Sequence, residues 1–110
     1  YMIRVNAHFL DNQINYIEIT GHAGSGEYGH DLVCAGVSAI TIGCLNSLNK
    51  PDSYKIVVEE GYVLVKEKSV PEPHDIIVLE TMYRALKSVA KNEADYVKVR
   101  KRKVKGSATQ

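Results

Sequence analysis

Tryptophan is absent from this chain of 110 residues, and phenylalanine occurs only once, so its aromatic side chains are almost all tyrosine. Two cysteines, Cys34 and Cys44, are too few for a disulfide-stabilised scaffold, and their spacing is not that of a structural zinc site. No apolar run approaches the ~18 residues that span a bilayer, and no charged-then-apolar signal segment opens the sequence. We therefore expect a single cytoplasmic domain with no membrane partner.

The near-neutral net charge of +1 conceals a separation of charge along the chain. All 13 acidic residues lie at or before Asp95, whereas six of the 14 basic residues follow it. Residues 1–95 therefore carry a net charge of −5, and residues 96–110 carry +6. Such a separation informs about partners rather than about the fold.

Hydrophobic periodicity predicts five strands and two helices in the order β-β-α-β-β-α-β. The predicted strands cover residues 3–9, 14–20, 54–59, 62–66 and 96–99, and the helices begin near Asp31 and His74. The first helix is apolar on most sides and should be buried, whereas the second is amphipathic. The order predicts an α+β protein, with helices packed on a mainly antiparallel sheet. We expect one domain over residues 1–105 and a flexible tail over residues 106–110.

Cys34 and His22 are the candidate catalytic residues. Asp31 is a strong helix N-cap, which would place Cys34 in the first helical turn, where the helix dipole and free N–H groups favour a thiolate. His22 lies where the second predicted strand ends, so it is a candidate base for a thiol that attacks a carbonyl. Backbone N–H groups at the helix start would then receive the oxyanion.

The two cysteines differ in their predicted helix faces. Helical steps from Cys34 lead to Ser38 and Thr41, which form the polar stripe of the first helix. Cys44 shares a stripe with apolar residues and is predicted to be a core side chain. For Cys34 the sequence also allows an ordinary buried thiol or a redox-sensing thiol.

The segment between the two catalytic candidates is rich in glycine, and residues 24–29 match the nucleotide-binding pattern G-x-G-x-x-G. The preceding strand belongs to a predicted hairpin rather than to a parallel βαβ unit, so no nucleotide cofactor is expected. The histidine, aspartate and cysteine side chains near this segment are potential metal ligands, but their spacing is not that of a familiar metal site. No metal is therefore expected either. We predict instead a loop that gates the site, with Gly24, Gly26, Tyr28 and Gly29 as its hinge and cover residues.

The basic end of the chain has two interpretations. It can contact ribosomal RNA phosphates weakly, or it can be a charged edge strand that resists aggregation. No aromatic residue lies within this stretch to stack on bases. A non-catalytic RNA- or ribosome-binding module is therefore the alternative function, and its contacts would come from Lys98, Arg100, Lys101, Arg102 and Lys103.

The joint occurrence of three motifs between residues 21 and 38 is specific. They are Gly21-His22-Ala23, then Glu27-Tyr28-Gly29-His30, then Asp31-Leu32-Val33-Cys34-Ala35-Gly36-Val37-Ser38. At this spacing they resemble the ribosomal-processing cysteine protease Prp family. The resemblance extends over the whole chain in length and element order.

This resemblance implies a thiol protease that removes the N-terminal extension of large-subunit ribosomal protein number twenty-seven during ribosome assembly. It implies that Cys34 is the nucleophile and His22 the general base and acid. Asp31, Ser38 and Gly21 would support the site, and the loop over residues 23–30 would gate it. The resemblance also implies a homodimer.

Overall fold

A computed structural model describes residues 2–21 and 28–106 and places them in an α+β fold, as the sequence predicts. In these ranges there are five strands, two α helices and a short 3-10 helix at Pro51–Ser53. The strands are β1 (Ile3–Leu10), β2 (Gln13–Thr20), β3 (Tyr54–Glu59), β4 (Tyr62–Glu67) and β5 (Val97–Val104). The helices are α1 (Tyr28–Leu45) and α2 (Pro73–Asn92). The predicted element order is confirmed.

The five strands form one mixed sheet in the order β3-β4-β2-β1-β5. Strand β1 pairs parallel with β5, and the other three pairings are antiparallel, so the sheet is mainly antiparallel as predicted. The β1–β2 hairpin turns at Asp11 and Asn12, which both have positive φ, at 50° and 67°. Asp and Asn are the non-glycine residues that adopt this conformation most readily, as two-residue hairpins require.

Both helices pack on one face of the sheet. Along β1 the burial alternates, and the four side chains that face the helices are buried. Residues of α1, α2 and the sheet join in a single apolar core. Neither α helix of the described ranges is long and apolar enough to cross a membrane. The buried side chains of β1 are those of Ile3, Val5, Ala7 and Phe9.

Helix α1 begins at Tyr28, three residues before the predicted start. Asp31 is therefore the fourth helical residue rather than the N-cap, and Cys34 lies in the second turn rather than the first. Asp is favoured by the helix dipole throughout the first turn as well as at the cap, which explains the misplaced boundary. Tyr28 and Gly29, predicted as part of a loop, are helical, whereas Gly24 and Gly26 lie outside the described residues.

Strand β5 is twice as long as predicted, because the basic stretch continues it to Val104 at the edge of the sheet. This agrees with the interpretation as a charged edge strand. Gly106, assigned to the tail from the sequence, donates a backbone hydrogen bond to Asp11 Oδ1 at 2.9 Å. The rest of the predicted tail, residues 107–110, lies outside the described residues.

Asp75 joins the loop that follows α1 to the start of α2. Its carboxylate is fully buried and accepts hydrogen bonds from the backbone N–H groups of Asn49 and Lys50, each at 2.8 Å. His74 Nδ1 lies 2.8 Å from the same carboxylate. Burial raises the pKa of Asp75, but the hydrogen bonds from Asn49, His74 and Lys50 outweigh it and leave the pKa below its usual value.

We predict that Asp75→Asn lowers the free energy of unfolding by about 1–3 kcal/mol at pH 7, because the amide leaves one buried N–H group without an acceptor. The lowered pKa of Asp75 means that its contribution is present above the unfolded-state pKa and is lost as the pH falls below about 4. Denaturant unfolding at pH 7 and pH 3 measures both effects. The exposed Asp95→Asn is the control and should change stability by less than about 0.5 kcal/mol. Equal stability of the two variants at pH 7 would contradict this account.

Candidate active site

An open cleft of about 550 Å³ lies between the middle of α1 and one end of the sheet. One wall is the α1 face that carries Cys34 and Ser38. The opposite side is formed by Gly21 at the end of β2 and by the hairpin that joins β3 to β4. The cleft is large enough for part of an extended peptide, because small-molecule and substrate sites fall in this range of volumes.

Cys34 reaches this cleft from the second turn of α1. Its side chain is only 8% exposed and packs beside Val33 and Val37, which anchor the helix to the sheet. Thr41, two turns further along the same wall, is buried and donates its hydroxyl hydrogen bond to Val37 O at 2.8 Å. Ser38 is exposed. The predicted polar stripe therefore lines the cleft. Cys34, however, is more buried than is expected of a surface thiol.

Gly21 brings the chain to the edge of the cleft in a conformation that only glycine adopts easily. Its φ is +96°, and a Cβ at this position would overlap the carbonyl oxygen of Met2. The N–H of Gly21 donates a hydrogen bond to Gly61 O at 3.1 Å, which fastens the end of β2 to the β3–β4 turn. The residue that follows is His22, so the first described range ends at the wall of the cleft that lies opposite Cys34.

The β3–β4 hairpin contributes a part of the site that the sequence prediction missed. Its turn at Glu60 and Gly61 was predicted, but its pairing beside β2, with Tyr62 opposite Thr20, was not. Pairing between strands separated by a helix leaves no local signal in the sequence. The hairpin gives the cleft an apolar wall with Glu59 and Glu60 at its rim. The described lining contains no basic residue.

Tyr62 also lies at this rim. Its hydroxyl donates a hydrogen bond to Glu18 Oε2 at 3.1 Å. Partial burial and this bond raise the pKa of Tyr62 above its usual value, so the phenol stays protonated and neutral at neutral pH.

The structure brings together three of the predicted site residues, namely Gly21, Cys34 and Ser38. Asp31 belongs to the first turns of α1 by its backbone, and its side chain is outside the described part. His22 lies in the segment 22–27, which is also outside it. The pairing of His22 with Cys34 therefore remains a prediction.

Cys44 occupies the other end of α1, two to three turns from Cys34. It is half-buried and packs against the apolar core, as predicted, but it is less buried than Cys34, whereas the sequence predicted the reverse order. Burial raises the pKa of the Cys44 thiol above its usual value. A thiol with a raised pKa is a poor nucleophile at neutral pH.

Within the described ranges, one group of side chains places three potential metal-ligand atoms within 4.8 Å of one another: Glu72, His74 and Asp75. Both oxygens of Asp75 already accept backbone hydrogen bonds, and His74 Nδ1 points to the same carboxylate. The group is therefore accounted for by the junction of α1 and α2 and carries no argument for a metal.

A thiol on the wall of a peptide-sized cleft is the arrangement of a cysteine hydrolase. A family model described as "Cysteine protease Prp" matches residues 2–98. The chain is 30% identical over 97 residues to the ribosomal processing cysteine protease Prp of Bacillus subtilis, covering 81% of this chain and 87% of the relative. It is 29% identical over 84 residues to the Prp of Staphylococcus aureus, covering 72% and 78%.

Solved structures agree on the fold. The crystal structure of SMU.848 from Streptococcus mutans superposes with a TM-score of 0.76 at 25% identity, covering 94% of this chain and 96% of the other. A crystal structure of S. aureus Prp in complex with a covalently linked product peptide gives a TM-score of 0.77 at 24% identity, covering 92% and 100%. The chain belongs to the cysteine protease Prp family, and it is a cysteine protease.

We predict that Gly21→Ala lowers the free energy of unfolding by roughly 1–3 kcal/mol, because φ at this position is positive and the added methyl group overlaps Met2. Gly43→Ala is the matched control. A Cβ at Gly43 meets no atom within 4 Å, and alanine favours the helix, so this variant should gain about 0.5–1 kcal/mol. Thermal unfolding of the two variants measures the difference. A Gly21→Ala protein as stable as Gly43→Ala would refute the close approach.

Proposed function

We propose that this protein removes the N-terminal extension of large-subunit ribosomal protein number twenty-seven, with Cys34 as the nucleophile and His22 as the general base and acid. The observation that carries the proposal is the position of Cys34 in the cleft wall, facing the strand end at Gly21 that leads into His22. The family membership supports the reaction type. The name of the relatives, ribosomal processing cysteine protease, supports a ribosomal protein as the substrate.

In the first half of the proposed reaction, the imidazole of His22 accepts the proton of the Cys34 thiol. The thiolate attacks the carbonyl carbon of the scissile peptide bond, and the carbonyl oxygen becomes an oxyanion. When the carbon–nitrogen bond breaks, the imidazolium gives its proton to the leaving amine. The products are a thioester on Cys34 and a free new N-terminus on the mature ribosomal protein.

In the second half, the imidazole accepts a proton from a water molecule, and the resulting hydroxide attacks the thioester carbonyl carbon. The carbon–sulfur bond breaks, the thiolate is reprotonated by the imidazolium, and the extension leaves with a C-terminal carboxyl group. No metal or cofactor takes part in either half of the proposed reaction.

The helix start found at Tyr28 changes the proposed source of oxyanion donors. In the second turn of α1 the backbone N–H of Cys34 lies within the helical hydrogen-bond ladder, so it is not one of the free groups of the first turn. Ser38 lies one turn beyond Cys34 on the same cleft wall and is exposed, so its hydroxyl is free to donate to the substrate. We keep Ser38 and Asp31 as supporting residues, and Gly21 as the residue that directs the chain towards His22.

The cleft suits a peptide substrate with an apolar side chain near the scissile bond. Both walls of its described lining contribute apolar side chains beside the polar stripe of α1, with Ile19, Val37, Ile42 and Val63 among them. Crystal structures of S. aureus Prp include a complex with a substrate peptide and one with a covalently linked product peptide. A covalently linked product is what a cysteine nucleophile would produce. The proposed gate, with Gly24 and Gly26, still rests on the sequence, as do the cytoplasmic location and the homodimer.

We predict that Cys34→Ala abolishes cleavage of a peptide that spans the end of the extension, because no other described thiol lines the cleft. Cys34→Ala should also cost about 1 kcal/mol of stability, since the side chain is buried. Cys44→Ala should keep its turnover per folded molecule and lose a similar amount of stability. Liquid chromatography with mass spectrometry of the cleaved peptide and denaturant unfolding give both readouts.

Two outcomes would contradict the proposal. If Cys44→Ala lost activity as completely as Cys34→Ala while still folded, the functional faces of α1 would be misassigned. If the wild-type protein cleaved no peptide but formed a reversible oxidised species at Cys34, the thiol would be a redox sensor rather than a nucleophile.

A further inference from the structure

The sheet has a second face, opposite the helices, that the protease reaction does not use. In β5 the residues that point to this face are Lys98, Arg100 and Arg102, all exposed. Lys101 and Lys103 point the other way, towards the helices, and Lys101 Nζ lies 4.5 Å from the centre of the Phe9 ring. The basic stretch is therefore divided by strand alternation into an outer set and a helix-side set.

Strand registers extend this outer set across the sheet. Arg4 in β1 lies beside Lys98, and Lys66 in β4 pairs with Lys55 in β3. Over the described strands, the outer face carries six cationic side chains and two anionic ones, a net charge of +4. Because the whole chain carries +1, the remainder carries −3. The cations of the face are Arg4, Lys55, Lys66, Lys98, Arg100 and Arg102, and its anions are Glu18 and Glu59.

An aromatic pair stands in the middle of these charges. The rings of His8 and Tyr16 stack with their centres 4.1 Å apart and their planes 12° from parallel. In the same row across the sheet, Lys66 lies on the β4 side of Tyr16 and Arg102 on the β5 side of His8. Burial and the neighbouring Arg102 lower the pKa of His8, so its ring is neutral at neutral pH. The aromatic side chains missing from the basic stretch itself are thus supplied by the neighbouring strands.

We propose that this outer face of the sheet, centred on the stacked His8 and Tyr16 and flanked by Arg100 and Arg102, binds single-stranded RNA. Cationic side chains contact phosphates, and the half-buried aromatic pair offers a stacking platform to unpaired bases. In a duplex the faces of the bases are already stacked on one another, so a single strand is the better ligand. A sheet surface with aromatic rings at its centre and cations at its borders combines both requirements. The face lies across the sheet from the Cys34 wall of the cleft, so RNA on it leaves that wall accessible to a peptide.

A second copy of the same chain is a poorer occupant for this face. A two-fold contact would place +4 against +4, which opposes association unless counterions or an anionic partner intervene. Only the anion Glu18 lies near the centre of the face, and it already accepts the hydrogen bond from Tyr62. Charge complementarity therefore selects a polyanion.

The test measures binding of a fluorescein-labelled oligouridylate of about 12 nucleotides by fluorescence anisotropy over a series of salt concentrations. We expect Arg100→Gln/Arg102→Gln to weaken binding at least about tenfold at low salt and to reduce the salt slope by about 1.4, as loss of two phosphate contacts predicts. Lys101→Gln/Lys103→Gln removes the same charge from the helix side of the same strand and should change affinity less than about twofold. Tyr16→Leu should weaken binding at least about fivefold with an unchanged salt slope, because it removes stacking and no charge.

Three outcomes overturn the proposal. They are no saturable binding by the wild-type protein at low salt, an equal loss in the two double variants, and a change in oligomeric mass for Arg100→Gln/Arg102→Gln with RNA affinity unchanged. The last would make this face an interface between copies. Peptide cleavage by the same variants should equal that of the wild type, so a failure of RNA binding is distinguishable from a failure of the protease function.

Discussion

The close approach of Gly21 to the backbone of Met2 determines where the functional site of this fold can lie. At this point β2 ends, and the hydrogen bond from Gly21 to Gly61 O fixes the β3–β4 turn beside it. A side chain at this position would push the strand end away from β1 and open the floor of the cleft. Helix α1 then returns over the same end of the sheet and brings Cys34 to the opposite wall. Gly21 and Cys34 thus lie on opposite walls of one cleft, each on an element that packs against the sheet.

The two faces of the sheet have different chemistry because strand alternation separates their side chains. The helix face is apolar and supports α1 through Val33 and Val37, which set the rotation of that helix and so the direction of Cys34. The outer face is cationic, and neither α1 nor α2 packs on it. Asp75, at the start of α2, holds the loop that follows α1, so a buried carboxylate fixes the chain beyond the helix that lines the cleft. Helix α1 therefore contributes both to the stability of the fold and to the candidate active site.

Local sequence patterns predicted most of the strands and helices. The features that they did not predict depend mainly on pairing between strands that are distant in the sequence. The alternation of Ile3, Val5 and Ala7 with polar residues predicted β1, and the Glu60-Gly61 pair predicted the second hairpin. The predicted start of α1 was wrong because an aspartate such as Asp31 is favoured both at the N-cap and in the first helical turn. No local pattern indicates that β4 pairs with β2 or β5 with β1, and these pairings build the cleft rim and the cationic face. Gly21, Cys34 and Ser38 were identified from their motif and do share a cleft. Nothing in the sequence indicated that Glu59 and Glu60 would lie at the rim of that cleft.

The most direct test of the central claim is the pH dependence of Cys34 alkylation by iodoacetamide, followed by intact mass in a Cys44→Ser background. We expect the Cys34 thiolate to form well below the usual pKa of about 8.5, and its pKa to return towards that value in His22→Gln. This result would place an activating imidazole beside the thiol in the free enzyme. A midpoint at or above about 8.5 that His22→Gln leaves unchanged would contradict the claim that these two residues form one catalytic pair.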